Sequence, residues 1–348
     1  MSKLQIGLAV AGGLLLAALV AHGAWTARRN QPRLAEPDPG PLEPHGLGEV
    51  LPDPLAGDAA PVDDDPLLLP PAVEKKPLLD PLIDVMASIE LEQPVSGEAV
   101  LQHMPATRRV GSKPFAVEGL NDDIGVWEPP QAGGRYRALQ AGLQLANRAG
   151  ALNEIEYSEF VVKTQALADA LGGTPELPDM LDAVARAREL DTFASEHDAQ
   201  LSVTLRALHT AWSAGYVQQN AARLGFVAGV LPGRMVLPAS VAGQPPVLGL
   251  HYDAQAALAE DPAQTAIREV ILSLDVAQVA RSEQPYVRLR EAATRLAEVM
   301  DGLITDDNGQ PLTADAMDLI GSELENLYDK LDARELSAGS ALARRLFS

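Results

Sequence analysis

Ala297-Glu298-Val299-Met300-Asp301-Gly302 reads as the end of a helix, and Leu303-Ile304-Thr305 follows it directly as a strand. Ala168-Asp169-Ala170-Leu171-Gly172-Gly173 repeats the same helix end earlier in the chain. Both stop at glycine, the residue that enters the left-handed backbone of a helix C-cap without a Cβ penalty. Upstream of the later stop, Pro285 stands at a good first helical position, and Val287, Leu289, Ala293, Leu296 and Met300 form one stripe. Downstream, Asn308-Gly309 reads as a hairpin turn, and Thr313 caps a last helix with Met317, Ile320, Leu324, Leu327 and Leu331 inward.

Working outward, strands precede each of these helix ends. Leu201, Val203 and Leu205 share one face of a strand, a helix covers Ala214 to Leu224 and ends at Gly225, and short strands follow at Met235–Leu237 and Val247–Tyr252. Val270, Leu272 and Leu274 put one face of another strand into a core. The earlier stretch has a strand at Ile83–Ile89, a helix after Pro94-Val95-Ser96-Gly97, and a strand alternating through Leu139, Ala141, Leu143 and Leu145. Helices then cover about Ser158–Leu171 and Asp179–Ser195. The two stretches share one order of elements, which predicts a tandem duplication of an α+β sandwich whose antiparallel sheet is open on one face.

The N-terminal region is of another kind. Leu4 to Trp25 contains no Asp, Glu, Lys or Arg, and its 22 residues match the length of about 20 that a helix needs to cross a bilayer. Lys3 precedes it, and Arg28, Arg29 and Arg33 follow it, which predicts an outer N-terminus with the bulk of the chain cytoplasmic. Residues 26–81 read as a disordered linker, because the window 32–81 holds 13 Pro and 11 acidic residues against three basic ones. Such a linker of roughly 50 residues has a root-mean-square reach near 40 Å. The expected layout is a transmembrane helix over 4–25, the linker over 26–81, α+β units over 82–195 and 196–335, and a tail over 336–348.

Charge and motif content narrow the function. With 27 Lys+Arg against 48 Asp+Glu, the net charge of −21 disfavours nucleic acid and anionic lipid as partners of the body. There is no GxxxxGK[ST], GxGxxG after a strand, HExxH or GxSxG, and the six His show no metal-ligand spacing. His197 beside Asp198 lacks a nucleophile and reads as a solvated helix end. Asp306-Asp307-Asn308-Gly309 lacks the alternating ligands and closing Glu of a calcium loop and reads as a turn. Neither a catalytic residue nor a metal, cofactor or small-molecule substrate is expected.

The layout resembles the ZipA family, membrane tethers of the bacterial division protein FtsZ. The resemblance is most specific from about Ala199 to Leu331. It rests on the helix end Ala222-Arg223-Leu224-Gly225-Phe226, the Ala297–Gly302 helix end, the Thr305-Asp306-Asp307 turn, and Leu312-Thr313 opening the last helix. It implies a split β-α-β fold and an inner-membrane adaptor that holds the FtsZ C-terminal peptide, and so the division ring, at the cytoplasmic face. Carried over by position, the peptide-binding residues it implies are Thr204, Arg206, Met235, Leu250, Tyr252, Ile271 and Ser273. Thr204, Arg206 and Ser273 are more polar than the apolar groove of that family, and for Met235 and Leu250, on short strands, a place in the core stays open. Residues 82–195 depart from the family plan and read as a degenerate second copy. Two other readings stay open: a membrane-bound envelope enzyme with an acidic pocket, and a periplasmic scaffold released from a cleaved signal.

Overall fold

A computed structural model describes residues 32–35, 79–261 and 264–348; residues 4–25 and most of the linker lie outside the described residues. Among the described residues no helix is long and apolar enough to cross a membrane.

The first unit begins with β1 (Asp84–Ser96), α1 (Gly97–His103), β2 (Arg109–Val110), β3 (Lys113–Asn121), β4 (Trp127–Glu128) and β5 (Arg135–Gln144). A small hairpin, β6 (Ala146–Asn147) and β7 (Gly150–Ala151), leads to α2 (Glu154–Leu171), β8 (Gly173–Glu176) and α3 (Met180–His197). Asn153 and Glu156 form a reciprocal capping box at the start of α2, so the helix opens four residues before the expected Ser158. Gly172, at φ +68°, ends it as the sequence predicts.

The second unit holds β9 (Gln200–Ala207), α4 (Ala214–Arg223), β10 (Val227–Ala228), β11 (Arg234–Leu237), β12 (Leu248–His251), α5 (Ala254–Leu258) and β13 (Glu269–Asp275). After two 3₁₀ turns come α6 (Pro285–Met300), β14 (Gly302–Thr305), α7 (Ala314–Ala333) and α8 (Ala341–Leu346). Thr313 accepts from the Ala316 N–H and caps α7. Val287 is exposed and does not belong to the buried stripe of α6. The expected hairpin after Leu303 is short: β14 pairs with β9 along one edge, and on its other edge Thr305 bridges Pro311, with Asp306 N–H donating to Gln310 O and Leu312 N–H to Ile304 O.

The chain is therefore α+β, with antiparallel sheets. The first sheet runs β2-β3-β5-β1-β8 with β4 beside β3, and the second runs β10-β11-β12-β13-β9-β14. Register agrees as well as order. Val85, Ala87 and Ile89 stand opposite Leu143, Ala141 and Leu139, as Leu201, Val203 and Leu205 stand opposite Leu274, Leu272 and Val270. Val117 faces Ala141 as Leu250 faces Leu272, and Pro175 faces Ile89 as Ile304 faces Leu205. Each sheet lays its apolar phase on helices. Phe115 meets Phe160 of α2 edge to face at 6.1 Å, and α6 packs on β9, β13 and β14. A tyrosine near the start of each first helix donates to a carbonyl near the start of the second: Tyr157 to Pro178 O and Tyr286 to Met317 O.

Two expectations for the chain ends are corrected. Residues 336–348 are no loose tail: Leu336, Ala343, Leu346 and Phe347 are buried, and α8 joins the units. Arg345 reaches the buried carboxylate of Asp84, while Gln278 donates to Phe347 O at 2.7 Å. Arg148 adds a second tie through Asp198 and Asp275. The linker is also fastened at both ends. Arg33 forms a parallel bridge with Trp212, its N–H donating to Ala211 O at 2.7 Å and its carbonyl accepting from Ser213 N–H at 2.9 Å. Its guanidinium pairs with Asp301. At the other end Leu79 is buried.

Candidate functional site

Strand alternation sorts the seven candidate residues. Along β13, Val270, Leu272 and Leu274 are buried, whereas Glu269 and Ile271 are exposed and Ser273 is half-buried. Register then places Arg206, Thr204 and Ser202 of β9 beside Glu269, Ile271 and Ser273, with Gly249 and His251 of β12 on the other flank. These side chains occupy the face turned away from α6. Four of the candidates, Thr204, Arg206, Ile271 and Ser273, are thus brought together.

Met235, Leu250 and Tyr252 are not. Met235 stands opposite Leu250, and Leu250 opposite Leu272, so the three share the buried phase. Leu250 is 0% exposed and belongs to the core cluster with Met235 and Tyr252. The Tyr252 hydroxyl accepts from Gln218 Nε2 at 2.6 Å. Met235 and Leu250 are corrected from peptide contacts to core, while Tyr252, largely buried, still lines the cavity beside Ile271. Thr204 is on the outer face but only 7% exposed, and its carbonyl accepts from Thr305 Oγ1.

The outer face is polar at its ends and apolar at its centre. Arg206 pairs with Glu269 at 3.1 Å. Ser202 Oγ donates to Asp307 Oδ1 at 2.6 Å, which holds the 306–310 turn against one end of the face. Asp306 Oδ1 accepts from the Asn308 and Gln310 N–H groups, so this carboxylate closes its own turn. Gly309 has φ +79°, and a Cβ there would lie 2.5 Å from Arg206 Nη1. Ile271, 39% exposed, forms the centre. Beside it lies a cavity of about 420 Å³ whose lining includes His251, Tyr252, Asp253, Ile267, Glu269 and Ile271.

His251 is the residue that sequence reasoning missed. Its Nε2 lies 2.8 Å from Ser273 Oγ, and burial, aided by the cationic Arg234, pushes its pKa below the ordinary 6.5. The signal was present: Gly249 and His251 alternate against Leu248 and Leu250 in β12. His197, by contrast, stacks on Phe193 at 4.3 Å and bonds to Phe193 O, while Asp198 is taken by Arg148.

The arrangement is one exposed isoleucine flanked by hydrogen-bonding groups. No protein-family model matches the chain, and no curated protein matches it. Among the described residues no group of three or more His, Cys, Asp or Glu could hold a metal ion. Another cavity, of about 1030 Å³, lies between α6 and α7 and away from this face. Of the carboxylates that line it, Asp318 and Glu325 are paired with Arg290 and Arg281, and Glu291 and Glu298 stand beside them. The Asp84 carboxyl, pushed up in pKa by burial against the pull of Arg345, sits under α8 rather than in that groove.

Proposed function

We propose that this chain is a single-pass inner-membrane adaptor that binds the C-terminal tail of FtsZ and tethers the division ring at the cytoplasmic face. Residues 4–25 hold the bilayer, the N-terminus lies outside, and the two α+β units are tandem copies of one ZipA-like split β-α-β domain. The outer face of the second sheet receives the peptide. The observation that carries this reading is the exposed Ile271 at the centre of a sheet face, between Thr204, Ser273 and the Arg206–Glu269 pair. An apolar seat with polar edges suits a short extended peptide of mixed character, and a sheet face can select alternate side chains of such a segment. Affinity of one site is modest, because ordering a flexible tail costs several kcal/mol. Many anchors along one polymer raise the effective strength.

The test is calorimetric titration of the full chain with an FtsZ C-terminal peptide. Micromolar-to-submillimolar binding that is lost in Ile271→Glu is the expected result. No heat at millimolar peptide would overturn the reading.

A further inference from the structure

We propose that the outer face of the first sheet is a second peptide seat, kept filled by the chain's own Leu79. The inference rests on the reading that these outer faces take extended segments, and it assigns a role to the first unit that this reading leaves blank.

The register of the two sheets fixes which positions correspond. With Ala87 matched to Val203 and Ala141 to Leu272, Gly142 falls on Ser273, Ala116 on Gly249, Gln140 on Ile271 and Glu118 on His251. The second unit's open face therefore has a defined counterpart in the first: Gln140 stands where Ile271 stands, and beside it the Ser273 position, held by Gly142, is occupied.

Leu79 occupies it. Asp80 reverses the chain just before β1: its carbonyl accepts from the Ile83 and Asp84 N–H groups, and its Oδ1 accepts from Leu82 N–H. Pro81 holds the second position of this turn, where a fixed φ suits it. The reversal lays Leu79 across the outer face. Its side chain sits over Gly142, where a Cβ would lie 2.4 Å from Leu79 Cδ2. Its N–H points to Glu118 Oε1 at 3.4 Å, and the other oxygen of Glu118 accepts from Gln140 Nε2 at 2.7 Å.

Three features set this contact apart from ordinary core packing. Leu79 is 4% exposed but lies outside the contiguous core cluster of the two units. It is on the opposite side of the sheet from α2, toward which Val85, Ala87 and Ile89 point. It also combines an apolar side chain over a glycine with a main-chain N–H aimed at a carboxylate, the two kinds of contact an extended peptide makes on a sheet face. The glycine is specific to the filled copy. At the matching position of the open copy, Ser273 bonds to His251.

One face is thus shut and its counterpart open, so each chain offers a single free seat. Displacing Leu79 converts the chain into a two-seat binder. The test uses the full chain and a fluorescent peptide of its own residues 75–82 (KKPLLDPL) as probe. Wild type is expected to give no anisotropy change at millimolar chain. Leu79→Asp and the milder Leu79→Ala, each with its thermal melt recorded, are expected to bind the probe at least about tenfold more tightly than wild type. Adding Gly142→Leu to either is expected to abolish that binding. Equal binding by wild type and both variants, or none by a folded Leu79 variant, overturns the proposal. A measurement that needs no binding stands beside it. The chain has no cysteine, so Leu79→Cys with Gly142→Cys is expected to form an intramolecular disulfide on mild oxidation; failure to form it overturns the seating of Leu79. Neither assay contains FtsZ. The loss of FtsZ binding and the loss of this proposal are therefore read separately.

Discussion

Leu250 and Ile271 lie on neighbouring strands of one sheet and face opposite ways, so a pair of substitutions separates folding from binding. Leu250→Ala removes a side chain that is 0% exposed and packed between Met235 and Leu272. Truncating a fully buried leucine costs the transfer free energy plus a cavity term, about 3 kcal/mol. For a folded body of this size that lowers Tm by about 6–12 °C. Ile271 is 39% exposed. Ile271→Glu gives up part of one side chain's burial and some strand preference, about 1 kcal/mol, and shifts Tm by about 2–4 °C. In the binding proposed above the order is expected to reverse. Well below its transition Leu250→Ala keeps its FtsZ-peptide Kd within about threefold, while Ile271→Glu puts a charge at the centre of the seat and weakens it at least about tenfold, or 1.4 kcal/mol. Circular-dichroism melts and calorimetry on the same preparations give both columns of the comparison. If Leu250→Ala weakens the peptide more than Ile271→Glu at matched foldedness, the assignment of faces is wrong.

Other perturbations test the joints of the molecule. Arg345→Ala leaves the buried Asp84 carboxylate without its guanidinium and is expected to cost about 3 kcal/mol in chemical denaturation, most of it recovered by adding Asp84→Asn. Because burial raises the Asp84 pKa, the folded state binds that proton more tightly than the unfolded chain, so the Arg345→Ala deficit shrinks as pH falls toward the acid range. His251 carries the opposite sign. Its folded pKa lies below the unfolded 6.5, so the unfolded chain binds more protons and stability declines as pH drops through and below that value; His251→Gln is expected to flatten this part of the Tm-versus-pH curve. Arg33→Pro deletes the N–H donated to Ala211 O, and hydrogen exchange at the Ser213 amide, which donates to Arg33 O, is expected to speed up.

What was legible in the sequence follows from how strongly each residue type constrains its own backbone. Pro285, Thr313, Asp179 and Gly172 marked helix ends because a missing donor, a side-chain acceptor or a positive φ acts locally. The alternation of β13 was clear because Val270, Leu272 and Leu274 repeat in phase. β3 was hidden. Lys113, Pro114, Glu118 and Gly119 break its pattern, and Lys113 is buried because Asn147 Oδ1 and Gly150 O, distant in the chain, join the neighbouring Ser112 Oγ in receiving its ammonium. The face of Met235 and Leu250 was misread for a related reason. A four-residue strand carries two residues per phase, and only pairing with Leu272 decides which phase is inward. The burial of 336–348 depends on partners in both units, among them Asp84 and Gln278, and no local pattern announces it.

The bridge between Arg33 and Trp212 changes how the leash of this protein is measured. In the membrane-bound arrangement proposed above, the length that counts is the stretch from Trp25 to Arg33, at most about 28 Å fully extended. Arg33 before residues 36–78 and Leu79 after them are both seated on the body. Lengthening the chain between them would leave the height of the second unit above the bilayer unchanged. Cutting the Arg33 contact would set the body free on the whole acidic span.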